Sequence, residues 1–251
     1  MRERYKTIYL SPHLDDAALS CGGRIFMETA ASHPILIVTL MAGDPAPDLP
    51  LSDFAQELHT RWGLPQDAVR ARRAEDMAAC QILGADYLYG SVQDCIYRTD
   101  PITGELCYPT WEIVKSTQHP ADKVTVARLV ELFNQLPPAD EIVAPLTVGQ
   151  HLDHRLVRQA AERAFGAARL TYYEDYPYAA VSGALEAVLT PEMQSTQILL
   201  PETAVTAKIE AIWAYASQRS SFFDDWQDAQ DKIRAYAAQV GGERYWRFAK
   251  S

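Results

Sequence analysis

The chain has 251 residues, 48% of them hydrophobic and 22% charged, a composition that fits a soluble globule and excludes disorder, collagen and coiled coil as whole-chain readings. Its 23 Lys and Arg stand against 33 Asp and Glu, and a net charge of −10 argues against nucleic acid as a partner, because phosphate binding needs a segregated basic stripe. The longest apolar run, residues 35–42, is far below the ~18 residues needed to cross a bilayer, so no membrane span is predicted. The length suits a single α/β domain over residues 1–251. Cysteines at 21, 80, 95 and 107 make no Cys-x-x-Cys pair, which predicts reduced thiols and a cytoplasmic protein.

In chain order, β-rich runs alternate with amphipathic stretches, the signature of βαβ units around a mostly parallel sheet with helices on both faces. Strands are predicted at Lys6–Leu10, Ile35–Met41, Tyr87–Tyr89, Glu141–Leu146 and Leu170–Tyr173. The second is nearly all apolar, as a strand covered on both faces is. Helices are predicted over Ala17–Ala30, Gln66–Leu83, Lys123–Leu136 and Asp153–Phe165, with Gly84 and the Pro137-Pro138 pair as stop signals. Two further helical patterns, Ala204–Ser217 and Trp226–Val240, lie within 204–240 and are expected to pack on the flank of the sheet. Residues 42–65 and 91–121 read as long irregular segments of the kind that form binding loops or lids.

Two clusters carry the chemistry. His13-Leu14-Asp15-Asp16 follows the first predicted strand and opens a helix; His151-Leu152-Asp153-His154 follows the fourth and opens another. In a right-handed parallel sheet all strand C-termini share one rim, so distant clusters of this kind can converge. Three protein ligands with an open position describe a catalytic zinc site, and His13, Asp16 and His154 supply that count. Neighbouring residues entering a helix point about 100° apart, so one of Asp15 and Asp16 can bind a metal while the other works as a base. His151 and His154 share a face if the helix has begun. Capping would explain each Asp singly, but two such clusters in the same strand-to-helix slot favour a metal site. Competing patterns fit poorly. Ser20-Cys21-Gly22-Gly23 is not the Gly-x-Ser-x-Gly of a serine hydrolase, and Gly149 stands where a metallo-β-lactamase-like motif needs its first histidine.

Ser11-Pro12-His13-Leu14-Asp15-Asp16, then Gly22-Gly23, then His151-Leu152-Asp153-His154, resemble the LmbE-like (PIG-L) zinc-dependent N-acetylglucosamine deacetylases. The likeness continues through Arg72-x-x-Glu75, Ile82-Leu83-Gly84, Asp94, Lys208 and Tyr215-x-Ser217-Gln218. It implies a Rossmann-like sheet and hydrolysis of an N-acetyl group from a GlcNAc-containing small molecule or glycoconjugate. It also implies zinc on His13, Asp16 and His154, with another divalent ion such as Fe2+ as the alternative metal. Asp15 would be the general base, protonated His151 the electrostatic or acid partner, and Asp153 the support of an imidazole tautomer. Arg72 and Asp94 match sugar-contacting positions, with Arg70 and Arg73 as close competitors for the first. The implied partner is an amino-sugar substrate, and self-association into a homo-oligomer is left open. Two other readings use the same residues: a non-catalytic carbohydrate-binding protein, and a different metal-dependent amide hydrolase. The intact Asp15 speaks against the first. The segment between 95 and 121 is where the chain departs from the family pattern.

Overall fold

In the computed structural model, which describes residues 2–249, strand β1 (Tyr5–Ser11) pairs in parallel with β2 (Ile35–Thr39) on one side and with β4 (Ala139–Pro145) on the other. Beyond these lie β3 (Asp86–Tyr89) and β5 (Leu170–Tyr173), also parallel, and two antiparallel strands, β7 (Glu243–Phe248) and β6 (Met193–Ile198), extend the sheet past β5. The order is β3-β2-β1-β4-β5-β7-β6. The mostly parallel α/β sheet read from the sequence is present, and its five predicted strands form with small changes at their ends.

Strands β6 and β7 had no predicted counterpart. The edge strand β6 buries only Met193 and is polar from Gln194 to Gln197, while β7 turns Glu243 inward beside Tyr245, so neither shows the apolar alternation that marks a strand.

Successive side chains on the central strands alternate between two cores, as the pleat requires. Ile8, Leu10, Leu36 and Val38 face helices α5 (Asp122–Asn134) and α6 (Leu152–Phe165), which contribute Leu129, Phe133, Leu156 and Val157. Tyr9, Ile35 and Ile37 face α1 (Asp16–Ala30) and α3 (Ala68–Leu83), which contribute Ala18, Cys21, Ile25, Ala79 and Leu83. Helix α7 (Glu202–Ala214) lies against α1 and α3, and α9 (Trp226–Val240) lies against α7. Among the described residues no helix is long and apolar enough to cross a membrane.

The two segments expected to be irregular are partly helical. Within 42–65 lies α2 (Asp53–Trp62), started by Ser52, whose Oγ accepts from Ala55 N at 3.1 Å, and ended by left-handed Gly63. Its apolar residues Phe54, Ala55, Leu58 and Trp62 form a stripe only three turns long, easily lost beside a Pro-rich stretch. Within 91–121 lie a 3₁₀ turn at Cys95–Tyr97 and the short α4 (Trp111–Ser116). A further short helix, α8 (Arg219–Phe222), follows α7.

Buried Glu243 ties the C-terminal elements to α1. It accepts from the backbone N–H groups of Gly23 and Arg24 at 2.9 and 3.0 Å, from Tyr245 Oη at 2.8 Å and from Lys208 Nζ at 2.7 Å. A Cβ at position 22 would stand 3.0 Å from Lys208 Cγ and 3.4 Å from its Cα, so Gly22 serves the close packing of α1 on the helix that carries Lys208. Removing one partner of a buried ion pair strands the other charge. Lys208→Met is therefore expected to cost about 3–5 kcal/mol in urea unfolding, and a loss under about 1 kcal/mol would show that the remaining donors satisfy Glu243 without the lysine.

Candidate active site

The parallel sheet changes direction between β1 and β4, because α1 leaves β1 toward one face and α6 leaves β4 toward the other. Crevices at such switch points, outside the strand C-termini, are where open α/β sheets bind ligands. A cavity of about 600 Å³ opens here. Among its lining residues are His13, Asp15, Asp16, Arg72, Asp94, His151 and His154, which is every site residue read from the sequence except Asp153. Helices α2, α4 and α8 close over it with Phe54, Leu58, Trp62, Trp111 and Phe222.

The two clusters meet. Ring centroids of His13 and His154 are 5.4 Å apart, those of His13 and His151 4.7 Å, and those of His151 and His154 5.3 Å. Asp16 Oδ2 lies 3.2 Å from His13 Nδ1 and 3.3 Å from His154 Nε2. Ligands about 2.0–2.1 Å from a tetrahedral zinc stand roughly 3.3 Å from one another, so these separations fit a shared ion. Each imidazole is anchored from behind. His13 Nε2 is 3.1 Å from Asp153 Oδ2, and His154 Nδ1 is 2.6 Å from Asp175 Oδ1. Were each ring to keep only the proton on its anchored nitrogen, as ion binding requires, the other nitrogen would turn a lone pair toward Asp16, the arrangement commonly found behind metal-binding histidines. Around these rings stand the carboxylates of Asp15, Asp16, Asp94, Asp153 and Asp175, and among the described residues only Arg72 and Arg98 pair with them as fixed cations. The donor set and the charge both suit a divalent ion.

The sequence profile of PIG-L, GlcNAc-PI de-N-acetylase, matches residues 8–165. The chain belongs to the PIG-L de-N-acetylase family. It is 30% identical over 240 residues to 2'-N-acetylparomamine deacetylase of Streptomyces fradiae, covering 87% of this chain and 76% of that protein. It is also similar to the crystal structure of a teicoplanin deacetylase in a zinc-inhibited form, with a TM-score of 0.81, 29% identity and 97% of each chain covered. The A40926 pseudoaglycone deacetylase aligns with a TM-score of 0.75 and 30% identity over 99% of this chain and 100% of that one.

In this PIG-L chain the remaining site residues have distinct surroundings. Asp15 stands at the N-cap position of α1 with φ 151° and caps nothing. That conformation is strained for a residue with a side chain, and strain of this kind collects at functional sites. Its carboxyl lines the cavity with Oδ2 3.7 Å from Arg72 Nη2, and burial, then the neighbouring Asp16, pushes its pKa up to about 7 against Arg72 and His13. Burial also works against charge on His154, but Asp16 and Asp175 outweigh it and raise the imidazole to about 9.

His151 caps α6 through Nδ1, which accepts from Asp153 N at 3.2 Å, so its donor to the cavity is Nε2–H. Burial first, and then His13 and His154, hold its pKa well below the ordinary histidine value. Burial and the two neighbouring imidazoles thus disfavour the charged form that the resemblance implies. Asp153 is no helix cap. It is fully buried behind His13, accepts from Cys95 N at 3.0 Å and pairs with Arg98.

Arg72 alone of the three clustered arginines lines the cavity; Arg73 binds Asp44 at 2.7 Å and Arg70 is exposed. Asp94 Oδ2 is 4.0 Å from Arg72 Nη1. The sequence reading missed Asp175, Arg98 and Trp62, and named Gln218 only within the family pattern, without a role. Asp175 was within reach, because it sits just past β5 on the same rim as the two clusters; the others lie in segments whose helices were not recognised or in the turn before α8. Asp175→Asn, which exchanges an ionised acceptor for a neutral amide behind His154, is expected to weaken divalent-ion binding about 10–100-fold in calorimetry on metal-stripped protein. An unchanged Kd would show that His154 needs no anchored carboxylate.

Proposed function

We propose that this protein is a zinc-dependent hydrolase, acting as a single domain in the cytoplasm, that removes the N-acetyl group from an acetylated amino sugar within a small-molecule glycoside. The observation that carries the reading is the convergence of His13 Nδ1 and His154 Nε2 on Asp16 Oδ2 at 3.2 and 3.3 Å, with Asp15 beside them in one cavity. The named activities of the relatives, which act on acetylparomamine and in glycopeptide pathways, support an amino-sugar substrate.

His13, Asp16 and His154 would hold the ion. Such an ion supplies Lewis acidity toward a carbonyl and acidifies water. Asp15 takes the proton of the attacking water as the new C–O bond forms. His151 Nε2–H donates to the oxygen of the former carbonyl as it gains negative charge, and a preorganised neutral donor suffices for this. When the C–N bond breaks, Asp15 returns its proton to the leaving nitrogen, giving acetate and a primary amine. Arg72 and Asp94, on the cavity wall beyond Asp15, bind the sugar hydroxyls.

Purified protein offered N-acetylglucosaminides and acetylated aminoglycosides should release acetate and a primary amine in equal amounts. Chelation should abolish this, and Zn2+ or Fe2+ should restore it; a panel that yields no amine with the ion bound would refute the reading. Asp15→Asn is expected to lower kcat about 10²–10⁴-fold with ion affinity retained. His13→Ala is expected to lose both, so full metal binding in His13→Ala contradicts the ligand assignment.

A further inference from the structure

Two patterns in the sequence, Arg72-x-x-Glu75 and Tyr215-x-Ser217-Gln218, have no step of their own in the reaction. In space the second lies along the first. Tyr215 Oη donates to Asp76 Oδ1 at 2.7 Å, and Ser217 donates through N and Oγ to the two oxygens of Glu75 at 2.9 and 2.6 Å. With the Gln218 amide turned so that both its ends are satisfied, its oxygen accepts from Arg72 Nε at 3.2 Å and from Trp62 Nε1 at 3.3 Å. The turn between α7 and α8 is thereby fastened to α3 residue by residue. Arg72, Ser217 and Gln218 are 7%, 5% and 6% exposed, so water does not replace these partners.

The consequence falls on Arg72. The Trp62 ring lies 4.6 Å from its Cζ, Gln218 holds Nε, and Leu14 O accepts from Nη2 at 3.2 Å. Its contacts across the cavity, Nη2 to Asp15 at 3.7 Å and Nη1 to Asp94 at 4.0 Å, are too long for hydrogen bonds, which leaves guanidinium N–H groups for a ligand. A guanidinium is a rigid planar fork, and what it can bind depends on the orientation of that plane. We infer that Gln218, together with Trp62, is a positioning residue that sets the plane of Arg72 for binding the hydroxyls of the amino sugar. This rests on the reading of Arg72 as a sugar contact. Gln218 works through Arg72 rather than on the reacting atoms.

Gln218→Leu removes the acceptor at similar volume. It is expected to raise KM for an N-acetylglucosaminide about 10-fold, with kcat and zinc affinity within about two-fold of the parent. Trp62→Leu, on a peripheral helix, should move KM the same way and carries the test if Gln218→Leu does not fold. Gln218→Glu keeps an acceptor in place and should restore KM to within about three-fold. In an Arg72→Ala background, Gln218→Leu should change KM less than about two-fold, since nothing remains to be oriented. Additive losses there, or parental KM in both leucine variants, overturn the inference. A readout without turnover separates it from the proposed reaction: the Arg72 Nε–H cross-peak in 1H–15N spectra should be protected from solvent exchange in the parent and lost in Gln218→Leu. Loss of the cross-peak in a protein that releases no acetate would sink the reaction and leave the positioning role standing; an unchanged cross-peak would sink the positioning role alone.

Discussion

The site depends on the parallel pairing of β1 with β4. Residues 13–16 and 151–154 are far apart in the chain, and only the register that sets Ile8 opposite Ile142 and Tyr9 opposite Val143 brings the two strand ends to one rim. A slip of one residue would turn Ile8 and Leu10 toward the wrong core, so burial of the apolar faces enforces the register. The same force that folds the sheet therefore sets the separation between His13 and His154. Asp16 then bridges them from the first turn of α1.

The carboxylates behind the rings bear the cost of this arrangement. Asp153 is fully buried and Asp175 nearly so, and an isolated buried carboxylate is strongly unfavourable. Each is satisfied on both oxygens: Asp153 by His13, Cys95 N and Arg98, Asp175 by His154 and Val148 N. Arg98 comes from the 91–121 segment that the sequence predicts to be irregular. Its guanidinium also lies 3.3 Å from Asp122 and over the Tyr108 ring, so that segment is anchored in the core at its start and at α5. What read as a binding loop or lid thus neutralises a charge placed beside His13.

Much of this was legible in the sequence because it follows short-range rules. The central strands announce themselves by apolar runs, and the clusters by their place between strand and helix. The parts that were not legible are those where a long-range partner overrides the local signal. Strand β7 carries Glu243 at a buried position because Lys208 and two peptide N–H groups await it, and no window of sequence contains that information. Helix α2 covers the cavity with a stripe of three side chains, which composition reads as loop. Asp153 by its place alone could cap α6 or support an imidazole; it lies behind His13, and His151 takes the cap. Asp175 is a single carboxylate after β5, meaningful only once β5 is known to neighbour β4.

The match to the family profile ends at residue 165, yet the cavity does not. Asp175, Tyr176, Pro177 and Tyr178 follow β5, and Gln218, Ser221 and Phe222 follow α7; all but Asp175 line the pocket. The matched part holds both histidine clusters, Arg72 and Asp94, together with the walls from α2 and α4. The later part supplies the anchor of His154 and the remaining walls. The groups that bear on an amide bond lie where strands fix them to within a register, whereas the walls that meet the rest of a substrate come from helices and turns docked on that frame. Such walls can change in sequence without disturbing that frame, which is how one fold can serve different substrates.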